Sequence, residues 1–407
     1  METKLEPRTL LPLSLATAQS LSFQVTSPAE IFGQELSPNL HYHLQGPIHT
    51  AISTYGGTTV KFTSELPDEF KVSPITLSNV PLNIHHAQPN RLLILGPKNC
   101  GKSTLAHTLA AYTNKTDSMG YLINLDPHLP HISIPSQLSI TPLNAPLVPI
   151  GPLFADSSAT SFTNSLLPPT NPYIESYGFD QPSSNTSLYV SVIASLASQF
   201  HTKHKIHPGR TIIDTPPLTI ADHQIISEII SQFSPSHIVV IDAPRFSTDL
   251  QKKLTNLPPI INIEKLPGVV DKDGKYERYI QQSSIRAYFY GLPDLVSNSN
   301  QISKENSLNP FTLSLSISDL VYRRPFEKLS LPTEDSDKTE EKPDYEILAN
   351  PGEMDLVNTV LAFIGEQGET RGFGYVQSVK GNKIRLLVPM PGLMTKDVII
   401  TEMRYIE

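Results

Sequence analysis

The chain has no tryptophan and one cysteine among its 407 residues. A single thiol excludes a disulfide scaffold and fits a reducing compartment, cytosolic or nuclear. No apolar run reaches the length needed to span a bilayer, so no membrane association is expected. The opening METKLEPRTLLPLSLATAQS lacks a basic n-region and a cleavage box, and reads as part of the folded protein rather than a signal peptide. A positive surface excess is missing too. The net charge is −8, so any nucleic-acid contact must be a local patch. Internal repeats are absent. Proline, by contrast, is plentiful at 37 residues, which marks long irregular connections.

The feature that organises the rest is RLLILGPKNCGKST, from Arg91 to Thr104. The run Leu92-Leu93-Ile94-Leu95 reads as a buried parallel strand. Gly96, Gly101, Lys102 and Ser103 then match G-x-x-x-x-G-K-[ST]. Leu105, Leu109 and Tyr112 follow at helical spacing. Strand, glycine loop and helix together form a phosphate-binding P-loop. The expected nucleotide-binding set is Gly96, Asn99, Cys100, Gly101, Lys102, Ser103 and Thr104. Glycines let backbone amides converge on phosphates, and the helix N-terminus adds its positive end. Lys102 is expected to reach the β- and γ-phosphates, and Ser103 to ligate Mg²⁺. Cys100 reads as a small loop filler rather than a reactive thiol. The motif implies a triphosphate and leaves the reaction open.

Around it the chain divides in three. Residues 1–86 carry short alternating runs broken by Pro, Gly and Ser, expected to close as a β-sandwich. AEIFGQEL (Ala29 to Leu36) interrupts them as an apparent packed turn. Residues 87–295 alternate strands (Arg91–Leu95, Tyr121–Leu125, Thr211–Asp214, His237–Asp242) with helices, the pattern of a helix-covered parallel sheet. Ser136 to Asn185 shows little periodicity. Residues 296–407 form a β-rich (α+β) unit. It holds a charged low-complexity stretch, 327–344, expected to be a disordered loop, and a hairpin signal at KGNK, Lys380 to Lys383. The fold class expected is α/β, a central P-loop domain flanked by two β-rich domains.

Three strand-end carboxylates are candidates for chemistry. Asp126, in INLDP, is expected to organise the metal or accept a proton. Asp214, in TIIDTPP, fits a metal-organising role or a plain turn, while Asp242 reads as a cap. HTKHKIHP, with His201, His204 and His207, reads as a solvated helix end rather than a metal or phosphate site. Arg278 and Arg286 lie on a helical stretch, KYERYIQQSSIRAYFYG. Two readings stand for them: a lid over the triphosphate, or an exposed helix face. Tyr288, Phe289 and Tyr290 read as packing.

These pieces, in this order, resemble one family. It is the RNA 5′-hydroxyl polynucleotide kinases, in the nuclear branch that serves as a subunit of the pre-mRNA cleavage and polyadenylation factor. AEIFGQEL is similar to that family's AEIFGTEL, and GPKNCGKST to its GPxxxGKST. INLDPHLPHISIPS resembles its D-x-G-Q segment, IRAYFYG its RIREYFYG, and GFGYVQSV with LLVPMPG its C-terminal motifs. The resemblance implies ATP and Mg²⁺ as ligands and a nuclear location. It further implies partner subunits, including a large scaffold that engages the central domain through a short segment. RNA would then be reached indirectly.

Several positions depart from the family pattern. D-x-G-Q is Asp126-Pro127-His128-Leu129 here. Glu277, Gln281 and Ser284 stand where lid arginines are found. The Gly-Trp after the third strand is replaced within Asp214-Thr215-Pro216-Pro217-Leu218. Ser20 and His49 take the places of a glutamate and a lysine near the nucleotide. Groups that hold a triphosphate remain, while groups that bind RNA and stabilise transfer are depleted. The expectation is therefore a structural nucleotide in an assembly subunit. The alternatives are an active RNA 5′-hydroxyl kinase, or a P-loop ATPase or GTPase driving a switch.

Overall fold

A computed structural model describes residues 1–17, 19–63, 73–116, 119–130, 132–143, 172–291, 309–327, 344–393 and 395–406. The first strands are β1 (Glu2–Leu5), β2 (Thr9–Leu15), β3 (Ser20–Val25), β4 (Ala29–Ile31), β5 (Gln34–Leu36), β6 (Tyr42–Gln45), β7 (Ile48–Thr54), β8 (Thr58–Phe62) and β9 (Ile75–Thr76). They form two sheets, in the orders β1-β8-β3-β6 and β5-β4-β7-β2-β9. Alternation along β2 and β3 sends Leu11, Leu13, Leu21 and Phe23 into one shared core, which makes the unit a β-sandwich.

AEIFGQEL is part of this sandwich rather than an interruption of it. β4 and β5 pair as a hairpin around Phe32 and Gly33, both with positive φ. A Cβ on Gly33 would lie 2.9 Å from the Thr108 carbonyl oxygen. The hairpin therefore presses on the next domain where only glycine fits.

A short helix, α1 (Val80–His86), departs from the all-β expectation for this region; it packs on α2 (Lys102–Lys115). The central sheet runs β13-β12-β11-β14-β10-β15-β16. Its parallel strands are β10 (Arg91–Leu95), β11 (Gly120–Asn124), β14 (Arg210–Asp214), β15 (His237–Ile241) and β16 (Ile260–Ile263). The inner parallel strands β10 and β15 are apolar on both faces because helices cover both. Leu92 and Ile94 pack with α1 and α2. Leu93 and Leu95 pack with α3 (Thr186–Ile206) and α4 (His223–Phe233). The stretch from Ser136 to Asn185 also contains structure: β12 (Gln137–Pro142) and β13 (Tyr173–Ser176) extend the sheet antiparallel. The part numbered 144–171 lies outside the described residues.

The helices α5 (Pro244–Lys253) and α6 (Gly274–Tyr290) complete the central layer. The C-terminal unit holds β17 (Phe311–Ser316), β18 (Val321–Pro325), β19 (Tyr345–Leu348), α7 (Glu353–Leu356), β20 (Thr359–Ile364), β21 (Thr370–Lys380), β22 (Lys383–Val388) and β23 (Asp397–Arg404). The KGNK turn joins β21 to β22 with Lys380 opposite Lys383. The charged segment falls almost wholly outside the described residues. Tyr288 and Phe289 at the end of α6 are buried against Phe373 and Tyr375. The Tyr288 hydroxyl accepts the Phe373 amide at 3.0 Å. Burial of two such aromatic rings, worth about 1.5–3 kcal/mol each, anchors α6 to the C-terminal sheet and so fixes its free N-terminal half over the P-loop.

Candidate nucleotide-binding cleft

The P-loop sits at the C-terminal end of β10, where open α/β sheets place their ligands. Its backbone is built for close approach. Asn99 and Gly101 adopt positive φ, 58° and 97°, and the Asn99 side-chain amide donates to the Lys272 carbonyl at 3.2 Å. A Cβ at Gly96 would lie 2.8 Å from both Cys100 Sγ and the Ile241 oxygen. α2 starts at Lys102, and its first turn leaves amides without helical partners. Leu105 is the residue whose amide bonds back to the Gly101 carbonyl, at 2.9 Å. Lys102 is only 6 % exposed yet lines the cleft, with its Nζ donating to the Pro97 carbonyl at 2.9 Å. Converging amides, a buried lysine and a helix start form the donor set that holds a triphosphate.

Of the expected residues, Asn99, Gly101, Lys102, Ser103, Thr104 and Asp126 line one cleft. Gly96, Cys100 and Asp214 do not. Gly96 and Cys100 support the loop from behind, and burial pushes the Cys100 thiol up, away from reactivity. Asp214 is fully buried at the end of β14, beside Ile94 and Asn124. Asp126 follows β11, accepts the His128 amide at 2.9 Å, and is 8 % exposed. Burial raises its carboxyl above the usual range, and the Asp214 charge adds to that.

Arg286 requires a correction. It is exposed, 5.6 Å from the Tyr290 ring, and lies outside the cleft. Arg278 is likewise exposed and bonds the Gly274 carbonyl. The helical phase of α6 explains both: Glu277, Gln281, Ser284 and Tyr288 take the buried face, which turns the arginines outward.

The inward positions of α6 carry the surprise. Glu277, 5 % exposed, accepts Lys98 Nζ at 2.8 Å and faces His128 Nε2 at 3.4 Å. His128 Nδ1 lies 3.1 Å from Asp180 Oδ2, and Gln281 Nε2 donates to the His128 carbonyl at 3.1 Å. Burial alone would lower the His128 imidazole, but Asp180, Asp126 and Glu277 outweigh it and raise it. These are the positions that depart from the family pattern, and they bond to one another.

The far end of the cleft belongs to the sandwich. Glu30 is buried and accepts the Tyr112 hydroxyl at 2.7 Å, with Tyr55 Oη 3.2 Å from Tyr112 Oη. Phe32 and Tyr55 line this end, and Leu266 to Val270 line the cleft between the sandwich and the P-loop. A Cβ on Gly101 would meet Val269 at 2.9 Å, and one on Gly268 would meet Leu10 at 2.9 Å. Apolar walls with a few fixed polar groups suit a flat ring. The residues present therefore fit a nucleoside triphosphate. His49 lines the cleft and meets Tyr276 in a tilted ring contact, with centroids 4.7 Å apart. Ser20 is exposed on β3 and takes no part. The pairing of Glu30 with Tyr112 escaped the sequence reading, although a glutamate within the apolar AEIFGQEL was a usable signal. No group of three or more His, Cys, Asp and Glu placed to hold a metal ion occurs among the described residues.

Comparison with known proteins gives a consistent answer. A model of the N-terminal beta-sandwich domain of polyadenylation factor matches residues 4–91. A model of the P-loop of mRNA cleavage and polyadenylation factor CLP1 matches residues 96–291. The chain is 29 % identical over 432 residues to the mRNA cleavage and polyadenylation factor CLP1 of Scheffersomyces stipitis, covering 94 % of this chain and 89 % of that protein. The CLP1 factor of Vanderwaltozyma polyspora is 25 % identical over 415 residues, with 93 % and 88 % covered. A solved Clp1p–Pcf11p complex superposes with a TM-score of 0.82 at 22 % identity, covering 100 % of this chain and 98 % of that one. A second, with a TM-score of 0.81 and 22 % identity, covers 100 % and 99 %; it concerns an extended Pcf11p–Clp1p interface and ATP loss in a glycine-to-arginine mutant. With both domain models matched and fungal relatives aligned along nearly its whole length, the chain belongs to the CLP1 family of mRNA cleavage and polyadenylation factors.

Proposed function

We propose that the protein is the ATP-binding subunit of a nuclear mRNA 3′-end cleavage and polyadenylation factor, and that it holds its nucleotide as a structural ligand. The observation that carries this reading is Glu277. A buried carboxylate, paired with Lys98 and His128, stands at the phosphate end of the cleft. Phosphoryl transfer develops negative charge there, which arginines stabilise and a carboxylate opposes. Holding a nucleotide makes weaker demands. Lys102 and the loop amides bind phosphates, Ser103 with Asp126 would hold Mg²⁺, and Glu30, Tyr55 and Phe32 receive the base. A bound Mg²⁺ would supply charge neutralisation at the phosphates. Because the cleft is walled by the sandwich, the P-loop and α6 together, a bound nucleotide ties three elements into one body.

A second reading is an active RNA 5′-hydroxyl kinase. Asp126 favours it, as a cleft-lining carboxyl with raised proton affinity suited to a base. One assay separates the two. Purified protein is incubated with labelled ATP and 5′-hydroxyl RNA, and its co-purified nucleotide is recovered. Intact ATP without labelled RNA is expected. Labelled RNA in catalytic excess would overturn the structural reading. Partner subunits follow from the solved relatives, which are complexes with a Pcf11 segment.

A further inference from the structure

The chain carries 39 acidic residues, yet residues 70–116 and 181–213 contain no Asp or Glu at all. The structure brings the middle of the first run against the C-terminal part of the second. They meet at the N-terminal edge of the parallel strands, opposite the P-loop. Arg91 opens β10 and Arg210 opens β14. His85 and His86 end α1, and Lys203, His204 and Lys205 fill the last turn of α3.

A cavity lies among them, lined by Asn90, Arg91, His204, Arg210 and Ser234, with no carboxylate in its wall. The guanidiniums are held rather than loose. Arg91 donates to the Phe233 carbonyl at 2.9 Å and lies 5.5 Å from the Phe200 ring. Arg210 donates to His85 Nδ1 at 2.8 Å. Each guanidinium has five N–H donors in a fixed fork, so both keep donors for an incoming anion. Lys205, His201 and His207 are exposed on the rim beside Ile206.

We infer that this edge of the central sheet is a second site, which binds the phosphodiester backbone of single-stranded RNA. The identification of RNA rests on the family's role in mRNA cleavage; the site itself rests on charge and shape. Arg, Ser and Asn side chains are the groups that hold phosphate oxygens, and the exposed imidazole rings offer faces on which unpaired bases stack. Charges in the last turn of α3 also complement its helix dipole. That role does not account for Arg91 and Arg210, which come from strand starts. On this inference RNA touches the chain directly, beside the indirect route that the resemblance implies.

The test uses the full chain and a fluorescent, 5′-phosphorylated oligouridylate, which no 5′-hydroxyl kinase can use. Binding is followed by anisotropy from about 50 to about 200 mM salt. Lys205→Glu with His207→Glu changes only exposed side chains. This pair is expected to weaken binding about tenfold and to lower the salt slope by about one unit per lost contact. Arg91→Gln with Arg210→Gln is expected to do the same, with melting temperature and ATP content as checks on the fold. Lys205→Glu with His207→Glu is expected to keep its co-purified ATP and melting temperature, so failure of the nucleotide reading and failure of this one are separable. Three results would overturn the inference. They are no RNA binding by the wild type, unchanged binding by the exposed pair, or equal competition by polyglutamate, which would mark an acidic peptide site instead.

Discussion

The two walls of the nucleotide cleft have diverged in character. The P-loop wall, Gly96 to Thr104, keeps the residues and backbone geometry that phosphate binding requires. The opposing wall, the N-terminal half of α6, turns Glu277 and Gln281 inward and its arginines outward. Holding a triphosphate needs donors, and those come from one wall. Transferring a phosphoryl group needs cations on both sides, and the second wall supplies a carboxylate. On the proposed reading, affinity and turnover are encoded on separate elements of one cleft, and one can be lost without the other.

The largest expected effect breaks the retained wall. Lys102→Ala should abolish nucleotide retention. At ligand near a hundred times its dissociation constant, the lost stabilisation is about 2.7 kcal/mol, or several degrees in a melting scan at millimolar ATP. Equal melting with full ATP occupancy would refute the structural role. Gly101→Ala attacks the same wall through its backbone. With φ at 97° and Val269 in the way, the cost should be about 1–3 kcal/mol. The readout is co-purified ATP measured against the wild type.

The other wall is tested by Glu277→Arg. Restoring a cation should raise phosphoryl transfer to 5′-hydroxyl RNA about tenfold over any wild-type background, small beside the orders of magnitude a placed arginine can give. No increase, with ATP still bound, would show that Glu277 is not what limits transfer. Glu277→Gln should keep the nucleotide and cost about 1 kcal/mol through the loss of the Lys98 and His128 contacts.

The smallest effect concerns the base end. Burial raises the Glu30 carboxyl above its ordinary 4.5. A raised folded-state value means the fold favours the protonated form. Its stability contribution is present below the unfolded value and declines as pH rises through the folded one. Glu30→Gln keeps an acceptor for Tyr112 and removes that decline. The variant should gain on the wild type as pH increases from acid to neutral, by about 1 kcal/mol or less. Parallel stability–pH curves would refute this.

Much of this was legible in the residues. RLLILGPKNCGKST fixed a strand, a loop and a helix because each has its own local pattern: an apolar run, glycines at the tight positions and helical spacing. The strands ending at Asp214 and near His237–Asp242 were readable for the same reason. β12 and β13 were not, because short antiparallel strands flanked by prolines lack the uninterrupted apolar run of a buried parallel strand. The direction of Arg286 was also hidden, since it depends on which face of α6 the C-terminal sheet captures through Tyr288 and Phe289. Glu30 read as part of a packed turn until the hairpin was seen against Thr108 and Ala111.

By itself, then, the sequence determined a P-loop at Gly96 to Thr104. Backbone-amide binding depends on a few contiguous residues and their local conformation. Only the tertiary structure decided what faces that loop, and that Arg91 and Arg210 share an acid-free edge with His204 and Lys205. Those neighbours are contributed by segments far apart in the chain, and packing alone sets which side chains a cleft or an edge receives.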